Sequence, residues 1–225
     1  MADLRFDAIV VGAGPAGIAA GITMARGGMK VLIIEKGRKP GVKNVMGGVL
    51  YTRSLLPLIP DIAQIKQVWE RPIVEENFWF LTPEDALKFG FRSPSFLNDI
   101  PNAFTVFRVK FDEWLFKEAK STGCLLLPST KVEQVLMEDG RVIGVATDRP
   151  DGNIYAPVVI LAEGAYAVLA QQTGLVSKLR KEHFALAVKE VLSLPSAKIE
   201  DRFHLEKGAG ATLECFGYAT KNMLG

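Results

Sequence analysis

The first 35 residues contain the feature that most constrains this chain. They read Phe6-Asp-Ala-Ile-Val-Val-Gly12-Ala-Gly14-Pro15-Ala16-Gly17, then a helical stretch, then Val31-Leu-Ile-Ile-Glu35. A strand, a glycine turn, a helix, a second strand and an acid form the layout of a dinucleotide-binding βαβ unit. Gly12 permits the tight turn, Gly14 lets the backbone approach a pyrophosphate, and Gly17 lets helix and strand pack closely. The pyrophosphate belongs at the helix N-terminus, where unpaired N–H groups point outward. Glu35 lies 18 residues past Gly17, at the end of the second apolar run, where a carboxylate accepts hydrogen bonds from a ribose diol. Ala8 to Ala25 carries no charge over 18 residues, close to the length of a membrane span. Gly12, Gly14, Gly17 and Pro15 interrupt it, and neither a basic n-region nor a cleavage site accompanies it, so it reads as a buried strand and helix.

The remaining chemistry is narrowed by what is scarce. Cys124 and Cys215 lie far apart and outside any C-x-x-C pair, so a cysteine-ligated iron–sulfur cluster cannot be built from this chain alone. His183 and His204 are the only histidines, which argues against a histidine-based metal site; no metal is expected. A net charge of +2 with mixed signs leaves no basic stripe for nucleic acid. Reduced cysteines fit an intracellular, cytoplasmic protein.

Beyond Glu35, the segment from Lys36 to Gly48 is glycine-rich, basic and too irregular for a helix or strand; it suits either a surface loop or a backbone laid against a ring system. Leu55 to Gln67 predicts short helices. Asn77–Thr82 and Ala86–Arg92 predict an antiparallel hairpin whose aromatics suit core packing better than a quinone or membrane surface. Ala103–Arg108 predicts a strand, and Phe111, Trp114, Leu115 and Ala119 mark one face of the helix after it, which Gly123 ends. Strands follow at Cys124–Leu127, Lys131–Met137, Arg141–Thr147 and Asn153–Ala162, with Glu138-Asp139-Gly140 as a hairpin turn. Ala165–Thr173 predicts a helix, His183–Leu194 a long strand, 196–202 a short helix, and 211–225 one more strand with a turn.

The glycine triplet with Glu35, Met46-Gly47-Gly48, Arg108-x-x-Phe111-Asp112-x-x-Leu115 and Leu161-Ala162-Glu163-Gly164 together resemble the glutathione-reductase-type FAD proteins. Longer phrases resemble the electron transfer flavoprotein:quinone oxidoreductase branch, called FixC in nitrogen-fixing organisms and neighbouring the geranylgeranyl reductases. These are Lys36–Leu50, Glu70-Arg-Pro, Phe78–Thr82, Ala187–Glu190 and Lys198–Phe203. The resemblance implies an α/β fold: a Rossmann-like FAD-binding domain (1–50 and 105–181) and part of a second, mixed antiparallel-sheet substrate domain (51–104 and 182–225). It implies that Gly12, Gly14 and Gly17 hold the FAD pyrophosphate, Glu35 the adenosine ribose, Arg108 the pyrophosphate side, and the Val132 backbone the adenine. Glu163 and Gly164 would bring a strand end to the cofactor, Gly47 and Gly48 would lie near the isoalloxazine, and Pro15, Ala16, Lys36 and Ala162 join the binding set.

Two departures stand out. Tyr166 occupies a position where this branch often has Asn, and the later Gly-Asp motif of the family is absent, so the chain resembles an N-terminal portion. The implied activity takes electrons from an electron transfer flavoprotein through FAD toward quinone, with a ferredoxin-like iron–sulfur partner. Gly208-Ala-Gly210 lacks a third glycine and a preceding strand, so no second motif of that kind offers a nicotinamide site. No residue stands out as an acid, base or nucleophile. Without a spanning segment, any membrane contact would be peripheral. Two alternatives stay open: a geranylgeranyl-reductase-like or hydroxylase-like flavoenzyme reduced by NAD(P)H, and a nucleotide-binding fragment without turnover.

Overall fold

The computed structural model describes residues 5–42, 47–62, 65 and 68–221. In chain order its elements are β1 (Ala8–Val11), α1 (Pro15–Arg26), β2 (Val31–Ile34), β3 (Gly47–Tyr51), β4 (Trp69–Leu81), β5 (Ala86–Arg92), β6 (Ala103–Phe107) and α2 (Arg108–Ser121). There follow β7 (Leu125–Leu127), β8 (Val132–Glu138), β9 (Arg141–Thr147), β10 (Asn153–Tyr155), β11 (Val158–Leu161), α3 (Val168–Gln172), α4 (Ser196–Phe203) and β12 (Gly210–Gly217). They form two compact units, Met1–Val45 with Arg108–Val188 and Met46–Phe107 with Lys189–Gly225. The joins thus fall at 45/46, 107/108 and 188/189, against 50/51, 104/105 and 181/182 in the sequence reading.

The first unit is built on a parallel sheet of order β11-β1-β2-β7. β1 and β2 are apolar at every position and buried at every position, as parallel strands covered on both faces must be. Alternation divides their side chains. Ile9, Val11, Leu32 and Ile34 join Phe6, Val132, Val135 and Val145 in one core beneath the antiparallel sheet β10-β9-β8. Val10 points the other way, toward Gly17 of α1. The β8–β9 turn places Asp139 and Gly140 at positive φ of 48° and 75°, as a tight two-residue hairpin requires.

In the second unit the order is β12-β4-β6-β3, and β5 also pairs with β4. β4 is the axis: its start pairs with β6, and its remainder lies between β5 and parallel β12. Trp69 stacks on Phe104 at 4.7 Å and donates its indole N–H to the Ile62 carbonyl at 2.7 Å. Arg71 pairs with Glu200 of α4 at 3.3 Å, and Arg92 with Glu75 at 3.0 Å and Glu206 at 2.7 Å, which fastens the 196–209 segment to the sheet.

Five sequence expectations are corrected. The single strand over 153–162 is two, because Pro157 has no N–H for a ladder and the chain passes there from the antiparallel sheet to the parallel one. The long strand over 183–194 is not formed: Lys181–His183 is a 3-10 turn, and 184–194 pairs with no strand among the described residues. Alternating apolar residues suit a strand, but a strand needs a ladder partner. Gly47 and Gly48, read as loop, begin β3 and pair with Phe107 and Val106. Of 55–67, read as short helices, 55–58 are turns, as Pro57 and Pro60 dictate, and Ile62 is in a 3-10 turn; 63, 64, 66 and 67 lie outside the described residues, as does Met46. The 78–91 aromatics do not form a closed core: Phe89 is 54% and Phe91 62% exposed, although Phe96 packs against Phe91 at 5.5 Å.

Candidate functional site

The glycine turn between β1 and α1 is held from three sides. Gly12 has φ +106°, and a Cβ there would strike the Ala162 carbonyl oxygen. A Cβ on Gly17 would strike the Gly12 carbonyl and lie 3.1 Å from the Ala162 Cβ. Ala162 is fixed in turn by donating its N–H to Val11 at 2.8 Å. Gly14 differs, since a Cβ there would meet nothing within 4 Å; its backbone faces open space.

Gly14 caps α1 without a side-chain bond, and Pro15 opens the helix, where its missing N–H costs nothing. Among the described residues, the N–H groups of Ala16 and Gly17 have no acceptor. Two open donors, the positive end of a 12-residue helix and an unobstructed Gly14 make a cradle for a phosphate anion.

Glu35 closes the turn from the β2 side. Its Oε2 accepts the Ala13 N–H at 2.9 Å and its Oε1 the Gly37 N–H at 2.6 Å. Each oxygen keeps a lone pair for a ribose hydroxyl. Lys36, next along, is exposed.

The other expected residues are placed as follows. Arg108 is the first residue of α2, and its Nε and Nη2 grip both Asp112 oxygens at 2.8 and 2.9 Å. Asp112, 1% exposed, entered the sequence reading within the Arg108-x-x-Phe111-Asp112-x-x-Leu115 phrase, with no partner assigned to it. The Arg-x-x-x-Asp spacing was its one visible signal, because residues four apart share a helix face. Gly41, at φ +74°, packs close enough that a Cβ would lie 3.0 Å from Asp112. Val132 begins β8 with its side chain in the core. Glu163 is engaged with α3, accepting the Leu169 and Ala170 N–H groups at 2.8 and 3.0 Å, while Gly164 turns the chain at φ +77°. Gly47 and Gly48 belong to the second unit. Thus the structure brings Gly12, Gly14, Pro15, Ala16, Gly17, Glu35 and Ala162 together at one turn.

A strand–turn–helix cradle of this kind, closed by a strand-end carboxylate, defines a dinucleotide-binding protein, and the comparisons give its family. Residues 7–185 match the model of the FAD dependent oxidoreductase family, and the chain belongs to that family. Its resemblance to FixC is shown by 42% identity over 226 residues to Protein FixC of Bradyrhizobium diazoefficiens and the same identity to that of Azorhizobium caulinodans. Each alignment covers 100% of this chain and 52% of the relative, so the chain spans about half the length of the curated relatives it matches. The fold matches a geranylgeranyl bacteriochlorophyll reductase-like protein from Thermoplasma acidophilum at TM-score 0.66 and 23% identity, over 81% of this chain and 44% of that one. FAD is the cofactor of this family, and the open Gly14 cradle with its two free N–H donors fits the pyrophosphate of such a dinucleotide.

Proposed function

We propose that this chain is the flavin-nucleotide-binding part of an oxidoreductase that accepts electrons from an electron transfer flavoprotein and delivers them toward quinone, with a ferredoxin-like iron–sulfur protein as partner. The observation that carries the FAD assignment is the turn itself, where Gly12 and Gly17 are closed against Ala162 and Gly14 alone of the three is open. When bound, FAD supplies the electron-carrying chemistry. The chain's own residues bind and orient it: the Ala16 and Gly17 N–H groups receive the pyrophosphate, and Glu35 receives the ribose diol. Arg108, held rigid by Asp112, is assigned to the pyrophosphate side, and the Val132 backbone to the adenine. Gly47, Gly48, Glu163 and Gly164 complete the proposed set.

A protein electron donor is supported by the state of Gly208-Ala-Gly210. Gly210 starts β12 with its Cβ position 2.9 Å from the Arg71 Cβ, a ladder position rather than a nucleotide turn. Among the described residues no helix is long and apolar enough to cross a membrane, so quinone would be met by peripheral contact. The likeness to a geranylgeranyl reductase-like fold favours a second reading, direct reduction by NAD(P)H. Anaerobic stopped-flow absorbance on the FAD-loaded protein separates them. Bleaching of the flavin by a reduced electron transfer flavoprotein, with no response to NADPH, is expected; rapid bleaching by NADPH alone would overturn the electron-transfer reading.

A further inference from the structure

Glu35, assigned to the ribose diol, is aimed by a turn far from it in sequence. Past β7 the chain bends through Pro128, Ser129 and Thr130 and returns along the end of β2. The Leu127 carbonyl accepts the Glu35 N–H at 2.9 Å, and the Thr130 N–H donates to the Glu35 carbonyl at 3.0 Å. The Ser129 N–H donates to the Gly37 carbonyl at 2.9 Å, and Gly37 donates its own N–H to the Glu35 carboxylate at 2.6 Å. The direction of that carboxylate therefore depends on the 127–130 turn as much as on β2.

The turn needs support from outside. Ser129 sits at φ +54°, in the left-handed region that residues with a side chain disfavour, and Pro128 has no N–H to contribute. Such a conformation persists where surrounding groups impose it. Arg149 is the group that meets it. Its Nη2 donates to the Ser129 carbonyl at 2.6 Å, and its Nε and Nη2 both donate to the Thr130 Oγ1 at 3.3 Å. Thr130 is 1% exposed and gives its hydroxyl proton to the Pro128 carbonyl at 3.2 Å, so its oxygen must find a donor within the protein, and Arg149 supplies one.

Arg149 is itself placed by its neighbours. Asp148 exchanges two hydrogen bonds with Lys131, giving its N–H to the Lys131 carbonyl at 2.9 Å and accepting the Lys131 N–H on Oδ1 at 3.0 Å. A Cβ on Gly152 would strike the Arg149 carbonyl oxygen. Among the described residues the guanidinium has no carboxylate partner, so its rigid fork is committed to neutral acceptors on one turn.

We infer that Arg149 is a positioning residue for the ribose subsite: it fixes the Ser129–Thr130 turn, and the turn fixes Glu35 and Gly37 in one orientation toward the diol. A carboxylate held in place before its ligand arrives loses little freedom on binding. The inference rests on the reading of Glu35 as the ribose acceptor and adds the residue that aims it.

The test is calorimetric titration of the chain with ADP and with 2′,3′-dideoxy-ADP, which lacks the diol, before and after Arg149→Met, a change that keeps the stem and removes the donors. The unmutated protein is expected to prefer ADP by about tenfold or more, as hydrogen bonds to a charged acceptor allow. Arg149→Met should shrink that preference to about threefold or less while leaving dideoxy-ADP affinity within about twofold, because only the diol contact depends on the turn. In the ligand-free variant the Gly37, Ser129 and Thr130 amides should exchange at least about tenfold faster, with the β1 amides unchanged. Equal loss of both nucleotides overturns the inference, as does an unchanged preference or unchanged exchange at those three amides. Absence of binding, or of any preference, in the unmutated protein would refute the ribose reading of Glu35 and the inference with it; an error in the inference alone shows only in the variant. Should Arg149→Met fail to fold, Arg149→Gln is read by the same criteria.

Discussion

β1 is buried at every position and β5 is exposed at every position, although both are short strands rich in apolar residues. The difference lies in what covers them. β1 has a parallel neighbour on each side, helix α1 against one face and the β8–β10 sheet against the other. Among the described residues β5 has one neighbour, and its aromatic face is open. Burial is therefore set by layers and not by composition. Tightness in the first unit also has a functional use, because a turn that must present N–H groups to a phosphate has to be rigid before the ligand arrives.

If that contrast is real, substitutions in the two regions should differ sharply in cost. The largest loss is expected for Asp112→Ala, which strands the partly buried Arg108 guanidinium and should lower stability by about 3–5 kcal/mol, measured by urea unfolding. Gly17→Ala comes next, at about 2–3 kcal/mol, because the new methyl must displace the Gly12 carbonyl. It should also abolish FAD binding, whereas Gly14→Ala, with open space around the new methyl, should keep the fold and weaken FAD alone. Glu35→Gln removes the charge that receives the Ala13 and Gly37 N–H groups and turns an amide donor toward one of them. It should cost about 1.5–3 kcal/mol, with FAD affinity falling about tenfold or more by titration.

In the second unit the effects should be smaller. The Gly208 N–H, with Arg71 adding to it, holds the Glu200 carboxyl below its usual range, and Arg92 does the same for Glu206. A carboxylate whose value is lowered by folding contributes stability above its unfolded value and loses it as pH falls through the folded one. Acidification below the ordinary glutamate range should therefore free the 196–209 segment, visible as faster amide exchange there while the β1–β2 amides stay protected. The smallest effect is expected for Leu87→Ser, 67% exposed on the open face, within about 0.5 kcal/mol in the same urea assay. A loss of several kcal/mol there would mean that the face is covered in solution.

The same contrast explains what could be read from the residues alone. The βαβ unit was legible because its signals are local: the glycine spacing, two apolar runs and Glu35 fall within one stretch of chain. The site was legible as far as Gly12, Gly14, Gly17 and Glu35. The hold of Ala162 on the turn and of Gly41 on Asp112 depends on segments distant in sequence, and no periodicity announces such meetings. Alternation at 183–194, which crosses from the first unit into the second, read as a strand and formed none, because no ladder partner meets it among the described residues; in the second unit Gly47–Gly48 was a strand that glycine content disguised as loop. Local propensity reports what a segment can become; pairing decides what it is.

The central claim, that the turn from Gly12 to Gly17 holds the phosphates of a flavin nucleotide, is tested most directly by titrating the chain with FAD, followed by flavin fluorescence, and repeating the titration with ADP as competitor. The account predicts saturation at one FAD per chain and displacement by ADP, since both would occupy the same helix N-terminus. Absence of saturable binding, or FAD binding indifferent to ADP, would contradict it.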